Sequence, residues 1–550
     1  TYHGAAMRLA GISVRDMAQS NSKNSIDFEG IIRQAVQLLK GGQEIPGMEP
    51  DEMRDQLMSG YSHILVDEYQ DIDEDQYELV SAIAGKSLEE ENSRLTLLAV
   101  GDDDQNIYTF RGANVGFIRR FREDYSTETI YLVENYRSSK HIIAAANGLI
   151  RNNRDRMKGS HPIRINRERS PNLPGGKWEQ LDPVSRGRVQ MVSVQGRLHQ
   201  AHYIKSEIDR IRNLDPGAGW HDFAVLSRTR GPLSAVRSVF EKAACPFRTT
   251  LDKGFPLHRV REVQTVLDWL LAKEKENGRA TDLMAGVKAH GGGRQPNIWW
   301  QLIHTFLEAW REETADSTQP MARVTDRLYE FVAEKRREKV LGEGIFMSTI
   351  HAAKGMEFPH VFILDGDWRH PADKARWEEE RRIMYVAMTR AMETLRLMKN
   401  QGKPNPFLKD INGNFVMPFT HVGMVEESND VDKRYEITGL NEIYLDYAGG
   451  FPQTHPIHSR LAALKTGQRV NLVMKTEKLE IRDHNGECVG RLSKEGAGRW
   501  REHLNNILEV RVVGILQRNR DDPDAPFHKR IKVDKWEFPV LEIISTAQPV

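Results

Sequence analysis

Short apolar runs rich in β-branched residues recur along the chain, each closed by polar turn residues and followed by a segment with helical spacing. The clearest are residues 64–66, 95–100, 129–133, 189–194, 223–226, 346–350 and 361–364. This is the pattern of parallel strands covered by helices, an α/β class, and the runs fall into two sets. Between them, residues 255–343 break the rhythm with apolar helical stripes at 260–273, 299–313 and 322–339 around a Gly291–Gly293 turn, which predicts a helical insertion in the second α/β unit. After about residue 400 the rhythm stops in a Pro/Gly/Asn/Asp-rich connector, and alternation between Arg469 and Ile544 predicts a small β-rich module.

Length adds that 550 residues can build about three to four domains, so a small binding module is excluded. Lys and Arg total 78 against 78 for Asp and Glu, so attraction to a polyanion has to come from local patches. The two cysteines, Cys245 and Cys488, are too far apart for a metal-ligand spacing and read as reduced structural thiols. No apolar run is long enough to span a bilayer and no secretion signal opens the chain, so the expected location is cytoplasmic, with no membrane partner.

Several strand ends carry chemistry. Ile64-Leu65-Val66 runs into Asp67-Glu68-Tyr69-Gln70-Asp71, where an Asp could hold magnesium through water and the next Glu could deprotonate an attacking water. Because residues 67–75 hold six carboxylates, a solvated acidic loop is the alternative. A second strand leads into Gly101-Asp102-Asp103-Asp104-Gln105-Asn106-Ile107-Tyr108-Thr109-Phe110-Arg111-Gly112-Ala113. There Gln105 could sense a γ-phosphate, and Phe110 could stack on a nucleobase or simply pack. Glu134-Asn135-Tyr136-Arg137-Ser138-Ser139 sets a stacking ring beside a cation suited to phosphoryl oxygens. Ser348-Thr349-Ile350-His351-Ala352-Ala353-Lys354-Gly355-Met356-Glu357-Phe358 precedes a strand, and Met384-Tyr385-Val386-Ala387-Met388-Thr389-Arg390-Ala391 ends a helix on an Arg.

Taken together, these segments resemble the superfamily-one DNA helicases of the UvrD, Rep and PcrA type over residues 1 to about 398, and Thr1-Tyr2-His3 resembles that family's TFH motif. The resemblance implies two RecA-like parallel-sheet domains, the first truncated at its N-terminus, with a helical insertion and a C-terminal β-rich module. The expected partition is a partial domain 1A with a short 1B-like region (1–128), domain 2A (129–254 and 344–400), a 2B-like insertion (255–343), a connector (401–455) and the β-rich module (456–550). It implies ATP and Mg²⁺ as cofactors, Asp67 on the metal, Glu68 as general base, and Gln105 coupling the γ-phosphate to DNA. Tyr136 would stack on adenine, Glu357 would contact ribose, and Arg137 and Arg390 would act on the γ-phosphate. Thr1, His3, Phe110, Thr349 and His351 would touch single-stranded DNA, with duplex junctions as further partners and 3′ to 5′ movement.

The family's G-x-x-x-x-G-K-[ST] phosphate loop does not occur in these residues. The expectation is that an upstream segment of the same polypeptide, or another chain, supplies it; the alternative function is a DNA-binding or regulatory module that does not hydrolyse ATP. Gly85-Lys86-Ser87 is a decoy, since position 80, where the loop's first Gly belongs, is Val80. His199 and His202 read as exposed polar residues rather than half of a metal site. The seven Lys and Arg of residues 151–169 are open between a phosphate-tracking patch and a solvated loop. Residues 480–492 weakly resemble a HIRAN-type DNA-end-binding barrel, and Arg518, Arg520, Lys529, Arg530, Lys532 and Lys535 could line one face of it.

Overall fold

The computed structural model describes residues 2–11, 28–42, 58–86, 95–109, 112–113, 116–250, 255–292, 297–338, 340–369, 371–402, 404–421, 433–522 and 525–546. They form two compact units: Thr1–Met17 with Ser22–Leu233 and Ser348–Met424, and Ala18–Asn21 with Ser234–Met347 and Val425–Val550.

In the first unit, strands β1 (His63–Val66) and β2 (Thr96–Ala99) pair in parallel, with Leu65 opposite Leu98. The helix Glu74–Ala84 follows β1; the Asp73 side chain accepts the Gln76 N–H at 2.9 Å to start it, and Gly85 at φ 74° ends it. Gly85 is therefore a left-handed helix cap, and Lys86 ion-pairs with Asp124 at 2.5 Å, so neither belongs to a phosphate cradle. Leu79 and Ala82 of that helix pack against Ala6 and Met7 and against Ile31, Ile32 and Ala35. The apolar run 129–133 is not a strand: the chain pairs only at Glu134–Asn135, and Ile130 and Leu132 are 76% and 81% exposed. A strand needs a neighbour, and among the described residues this run meets one only at its end, where the Val133 carbonyl accepts the Arg164 N–H at 2.9 Å. Leu65 is likewise 76% exposed.

The larger sheet of this unit has the order β5-β4-β6-β7-β3-β8, from β3 (Val189–Val194), β4 (Phe223–Ser227), β5 (Phe346–Thr349), β6 (Phe358–Ile363), β7 (Ala391–Asn400) and β8 (Val416–Thr420). The ladders joining β4, β6, β7, β3 and β8 are parallel. Strands β3, β4 and β6 are buried almost throughout, as expected where helices cover both faces, whereas the edge strand β8 has no fully buried residue. Arg396 of β7 is 1% exposed and bonds Glu207 of the helix Arg197–Leu214 at 2.6 and 2.8 Å. β8 lies within 401–455, the expected connector.

The second unit joins the helical insertion to an antiparallel sheet of order β9-β14-β13-β10-β11-β12: β9 (Lys433–Ile437), β10 (Arg469–Lys475), β11 (Lys478–Arg482), β12 (Cys488–Arg491), β13 (Ile507–Asn519) and β14 (Lys535–Thr546). The helices Arg261–Ala272, Ile298–Thr314 and Met321–Glu338 stand where the apolar stripes predict them. Trp299 is fully buried, stacks on Phe255 at 5.4 Å, and donates its indole N–H to the Val513 carbonyl of β13 at 3.0 Å. Arg261 bonds Glu537 of β14 twice at 2.6 Å, and Lys535 pairs with Asp268 at 2.8 Å. Insertion and sheet thus share one core, and β9, also within 401–455, is an edge of that sheet. Among the described residues, no helix is long and apolar enough to cross a membrane.

His360 on β6 is 1% exposed, with its Nδ1 2.8 Å from Thr394 Oγ1 and its ring against Trp178 and Phe223. Burial, then Arg396 and Lys177, hold its pKa down at about 3. The unfolded chain takes up this proton near pH 6.5 and the folded one does not, so stability falls as pH drops below 6.5. The loss at pH 5 is on the order of 2 kcal/mol from this residue. Urea unfolding of the first unit at pH 7.5 and pH 5.0 should show that dependence, and His360→Leu should remove its share; an unchanged pH slope in the variant would mean that the native ring already carries the proton.

Candidate functional site

Where β1 ends, the chain turns sharply: Glu68 sits at φ 52°, ψ 39°, a left-handed conformation unusual for a side-chain-bearing residue. Three contacts hold it there. The Glu68 N–H donates to Asp67 Oδ1 at 2.8 Å, the Asp71 N–H donates to the Glu68 carbonyl at 3.0 Å, and Gln70 Nε2 donates to Glu68 Oε2. Gln70 is fully buried and also ties β1 to β2: its Oε1 accepts the Asp102 N–H at 2.9 Å, and its carbonyl accepts from Asn106 Nδ2. Gly101 makes this approach possible, because a Cβ there would lie 2.8 Å from Gln70 Oε1.

Beyond β2, the carboxylates of Asp102, Asp103 and Asp104 lie within 4.8 Å of one another, the one group of three among the described residues that could hold a metal ion. Protein cations already occupy it. Asp104, fully buried, receives two bonds from Arg156 at 2.7 and 2.8 Å, and Asp102 pairs with Lys158 at 2.6 Å. Asp103 accepts the Met157 N–H at 2.6 Å; burial first, then the neighbouring Asp104 charge, raise its pKa. Part of the basic tract 151–169 is therefore spent inside the fold. The helix Lys374–Met388 grips the same tract: Glu378 accepts the Arg154 N–H at 3.0 Å and the Arg382 guanidinium donates to the Asp155 carbonyl at 2.8 Å. Asp67, the expected metal ligand, stands outside the three-carboxylate group.

That helix ends at Thr389-Arg390. Arg390 is 2% exposed and donates to the Val386 and Met356 carbonyls at 3.0 and 3.1 Å, to Thr389 Oγ1 at 3.1 Å and to Gln105 Oε1 at 3.0 Å. All four acceptors are neutral. Burial, and next the charge of Arg137, push its pKa down to about 10, while Glu68 and Glu357 pull it up. The result is a desolvated guanidinium, still charged at neutral pH, without a bonded carboxylate among the described residues: a group arranged for an incoming anion. Gln105, its partner, is held from the other end by donation to Asp102 Oδ2 at 2.9 Å. Arg137 is salt-bridged to Glu357 and reaches the Thr389 carbonyl at 3.4 Å, so Glu68, Gln105, Arg137, Glu357 and Arg390 converge. Tyr136 projects outward, 69% exposed, with its hydroxyl 3.3 Å from Glu134.

Lys354 was not singled out by its residue type, yet its ammonium is buried between Asp71, with which it ion-pairs, and the Gln105 carbonyl at 2.7 Å, 3.8 Å from Glu68 Oε2. Its partner Asp71 has its pKa raised by burial, with Lys354 opposing. Of the expected DNA contacts, Thr349 closes β5, His351 lies in the turn after it, and His3 lies in the helix Tyr2–Leu9; Thr1 and Phe110 are outside the described residues. Tyr2 beside His3 is half-buried with its hydroxyl out of water, and that burial, with the charges of Asp71 and Asp67, raises its phenol pKa, which places this helix next to the β1 tip. His199, by contrast with the expectation of an exposed ring, is only 6% exposed: it pairs with His421 at 2.6 Å and accepts the Gln195 N–H at 3.1 Å, a packing contact that draws it inside the fold.

The UvrD/REP helicase N-terminal domain family matches residues 8–126, and the UvrD-like helicase C-terminal domain family matches residues 130–281 and 300–402. DNA helicase II of Haemophilus influenzae is 27% identical over 425 residues, covering 61% of this chain and 54% of that protein. DNA helicase II of Escherichia coli is 26% identical over 431 residues, covering 61% and 55%, and the ATP-dependent DNA helicase PcrA of Staphylococcus aureus is 24% identical over 493 residues, covering 72% and 62%. The chain spans little more than half the length of these curated relatives.

The Arg156–Asp104 pair gives a direct check on the basic tract. Arg156→Met leaves the buried Asp104 carboxylate with Lys158, 3.7 Å away, as its remaining cation and should cost about 3–5 kcal/mol in chemical denaturation. Arg154→Ala, on the exposed side, should cost less than about 0.5 kcal/mol. Equal small effects would place Arg156 in solvent instead.

Proposed function

Because the chain belongs to the UvrD/Rep/PcrA-type DNA helicases, we propose that it forms the motor of an ATP-dependent DNA helicase or translocase that moves on single-stranded DNA and acts at duplex junctions. The observation that carries this reading is Arg390, a buried cation bonded only to neutral acceptors and joined through Gln105 to Asp102 in the loop after β2. Such a group destabilises an empty protein and is useful only when negative charge arrives beside it.

Bound Mg-ATP supplies the phosphoanhydride whose hydrolysis drives movement. The residues at the site would serve its magnesium, its attacking water and its γ-phosphate, while the phosphate-loop sequence does not occur among them. Asp67 offers one carboxylate at the β1 tip, which suits a magnesium ion that keeps most of its waters. Glu68, oriented by Gln70 and by its left-handed backbone, takes the proton from the attacking water. Arg390 and Arg137 neutralise charge on the transferring phosphoryl oxygens, and Gln105 reports their position to the β2 loop. The exposed ring of Tyr136 stacks on adenine, and Glu357, next to Arg137, binds the ribose. Thr1, His3, Phe110, Thr349 and His351 contact the DNA strand, and the direction is 3′ to 5′ by family resemblance. In domain terms, residues 1–128 act as 1A with a 1B-like region, 129–254 with 344–400 as 2A, and 255–343 as a 2B-like element. The β-rich module of 456–550, whose sheet also takes in Lys433–Ile437 and whose core the insertion shares, braces that element.

In the full-length protein, Glu68→Gln should lower DNA-stimulated ATP turnover by about 10²–10⁴-fold while single-stranded DNA affinity holds. Arg390→Ala should lower it by about 10³-fold or more. Steady-state ATPase and fluorescence anisotropy of labelled DNA separate the two quantities, and turnover near the parent value in either variant would remove that side chain from the catalytic set.

A further inference from the structure

The segment that carries Gln105 and the segment that carries Thr349 and His351 hold each other by reciprocal bonds. The Lys354 ammonium donates to the Gln105 carbonyl at 2.7 Å, and the Tyr108 hydroxyl donates to the His351 carbonyl at 3.0 Å. Each side chain thus reaches across to the other segment's backbone, one three residues after Gln105 and the other three residues after His351. Lys354 Nζ also lies 5.3 Å above the Tyr108 ring, and the Tyr108 and His351 rings are 6.0 Å apart. The Lys354 side chain is only 5% exposed, and the same ammonium pairs with Asp71 and lies 3.8 Å from Glu68. A desolvated lysine bonded at once to a carboxylate and a carbonyl is far more rigid than a surface lysine, so displacement of one segment has to be followed by the other or the charge loses its partners.

We propose that Lys354 and Tyr108 form a two-point clasp that makes Lys354 a positioning residue. DNA held at Thr349 and His351 fixes the 351–354 turn, and the clasp thereby fixes the Gln105 backbone and the Glu68–Asp71 turn in the geometry for hydrolysis. The inference rests on the reading that this chain hydrolyses ATP on DNA. It goes beyond that reading in naming the connection between the two sites, which involves neither a DNA base nor a phosphate.

The test uses the full-length protein with Lys354→Met, Lys354→Arg and Tyr108→Phe, and two readouts. The first is the ratio of kcat with saturating single-stranded DNA to kcat without it, with KM for ATP alongside. The second is hydrogen exchange of the 101–109 amides on adding a poly-dT oligonucleotide. Lys354→Met and Tyr108→Phe should each lower the kcat ratio by about tenfold, with little change in KM or DNA affinity, and Lys354→Arg should recover part of it. The same two variants should lose the DNA-dependent protection of residues 101–109 seen in the parent. Equal loss of turnover with and without DNA, an unchanged ratio, or no DNA-dependent protection in the parent would each overturn the clasp. If Lys354→Met does not fold, Tyr108→Phe, which removes one oxygen, decides alone. A parent protein without DNA-stimulated ATPase but with clasp-dependent protection would sink the hydrolytic reading and leave the connection standing.

Discussion

The demand that buried carboxylates be matched by cations organises the first unit. Asp103 and Asp104 sit out of water at the end of β2, and Arg156 and Lys158 are drawn in to meet them. Those two cations belong to a turn that the helix Lys374–Met388 holds through Glu378 and Arg382. That helix ends on Arg390, and Arg390 comes back to Gln105 beside the same aspartates. A closed circuit of charge therefore sets the distance between the strand tips and the arginine. It leaves one member of the ring, Arg390, without a bonded carboxylate among the described residues.

Much of this was legible in the sequence because catalytic loops in such folds follow strands directly. An apolar run followed by Asp-Glu or by Gly-Asp announces both the strand and the chemistry at its end, and His63–Val66 and Thr96–Ala99 are where that logic puts them. The strand Ala391–Asn400 was hidden because Glu393, Thr394, Arg396 and Lys399 give it a polar look; Arg396 is buried all the same, since Glu207 compensates it. Val416–Thr420 was hidden by Pro418, which an edge strand tolerates. Conversely, 129–133 carries β-branched residues but gains no partner strand. Within the site, Glu68, Gln105, Arg137 and Arg390 could be picked by residue type. Gln70 and Lys354 could not, because their roles consist of contacts with residues distant in sequence or hidden inside the turn.

The second unit shows a different limit of linear reading. Alternation identified its strands from Arg469 onward but not the edge strand Lys433–Ile437, and apolar stripes identified its three long helices but not Ala280–Val287; neither pattern says that the two surfaces are each other's cover. Trp299 makes that plain: its ring fills the space above Gly514, and its N–H satisfies a carbonyl of the long hairpin. Several basic residues that could have formed an open face are also committed internally. Arg518 pairs with Asp446 and Lys535 with Asp268, so the charge left for a polyanion is smaller than the count of Lys and Arg suggests.

The short parallel pair β1–β2 has a practical corollary. Leu65 and Leu98 face each other across the ladder while 76% and 55% exposed, in a sheet that among the described residues has two strands. Apolar side chains beside open strand edges are the surfaces through which chains add to one another. Self-association that grows with protein concentration and is relieved by a Lys at position 65 or 98 is the colloidal behaviour this surface dictates, and handling of the isolated chain will be governed by it before any question of catalysis arises.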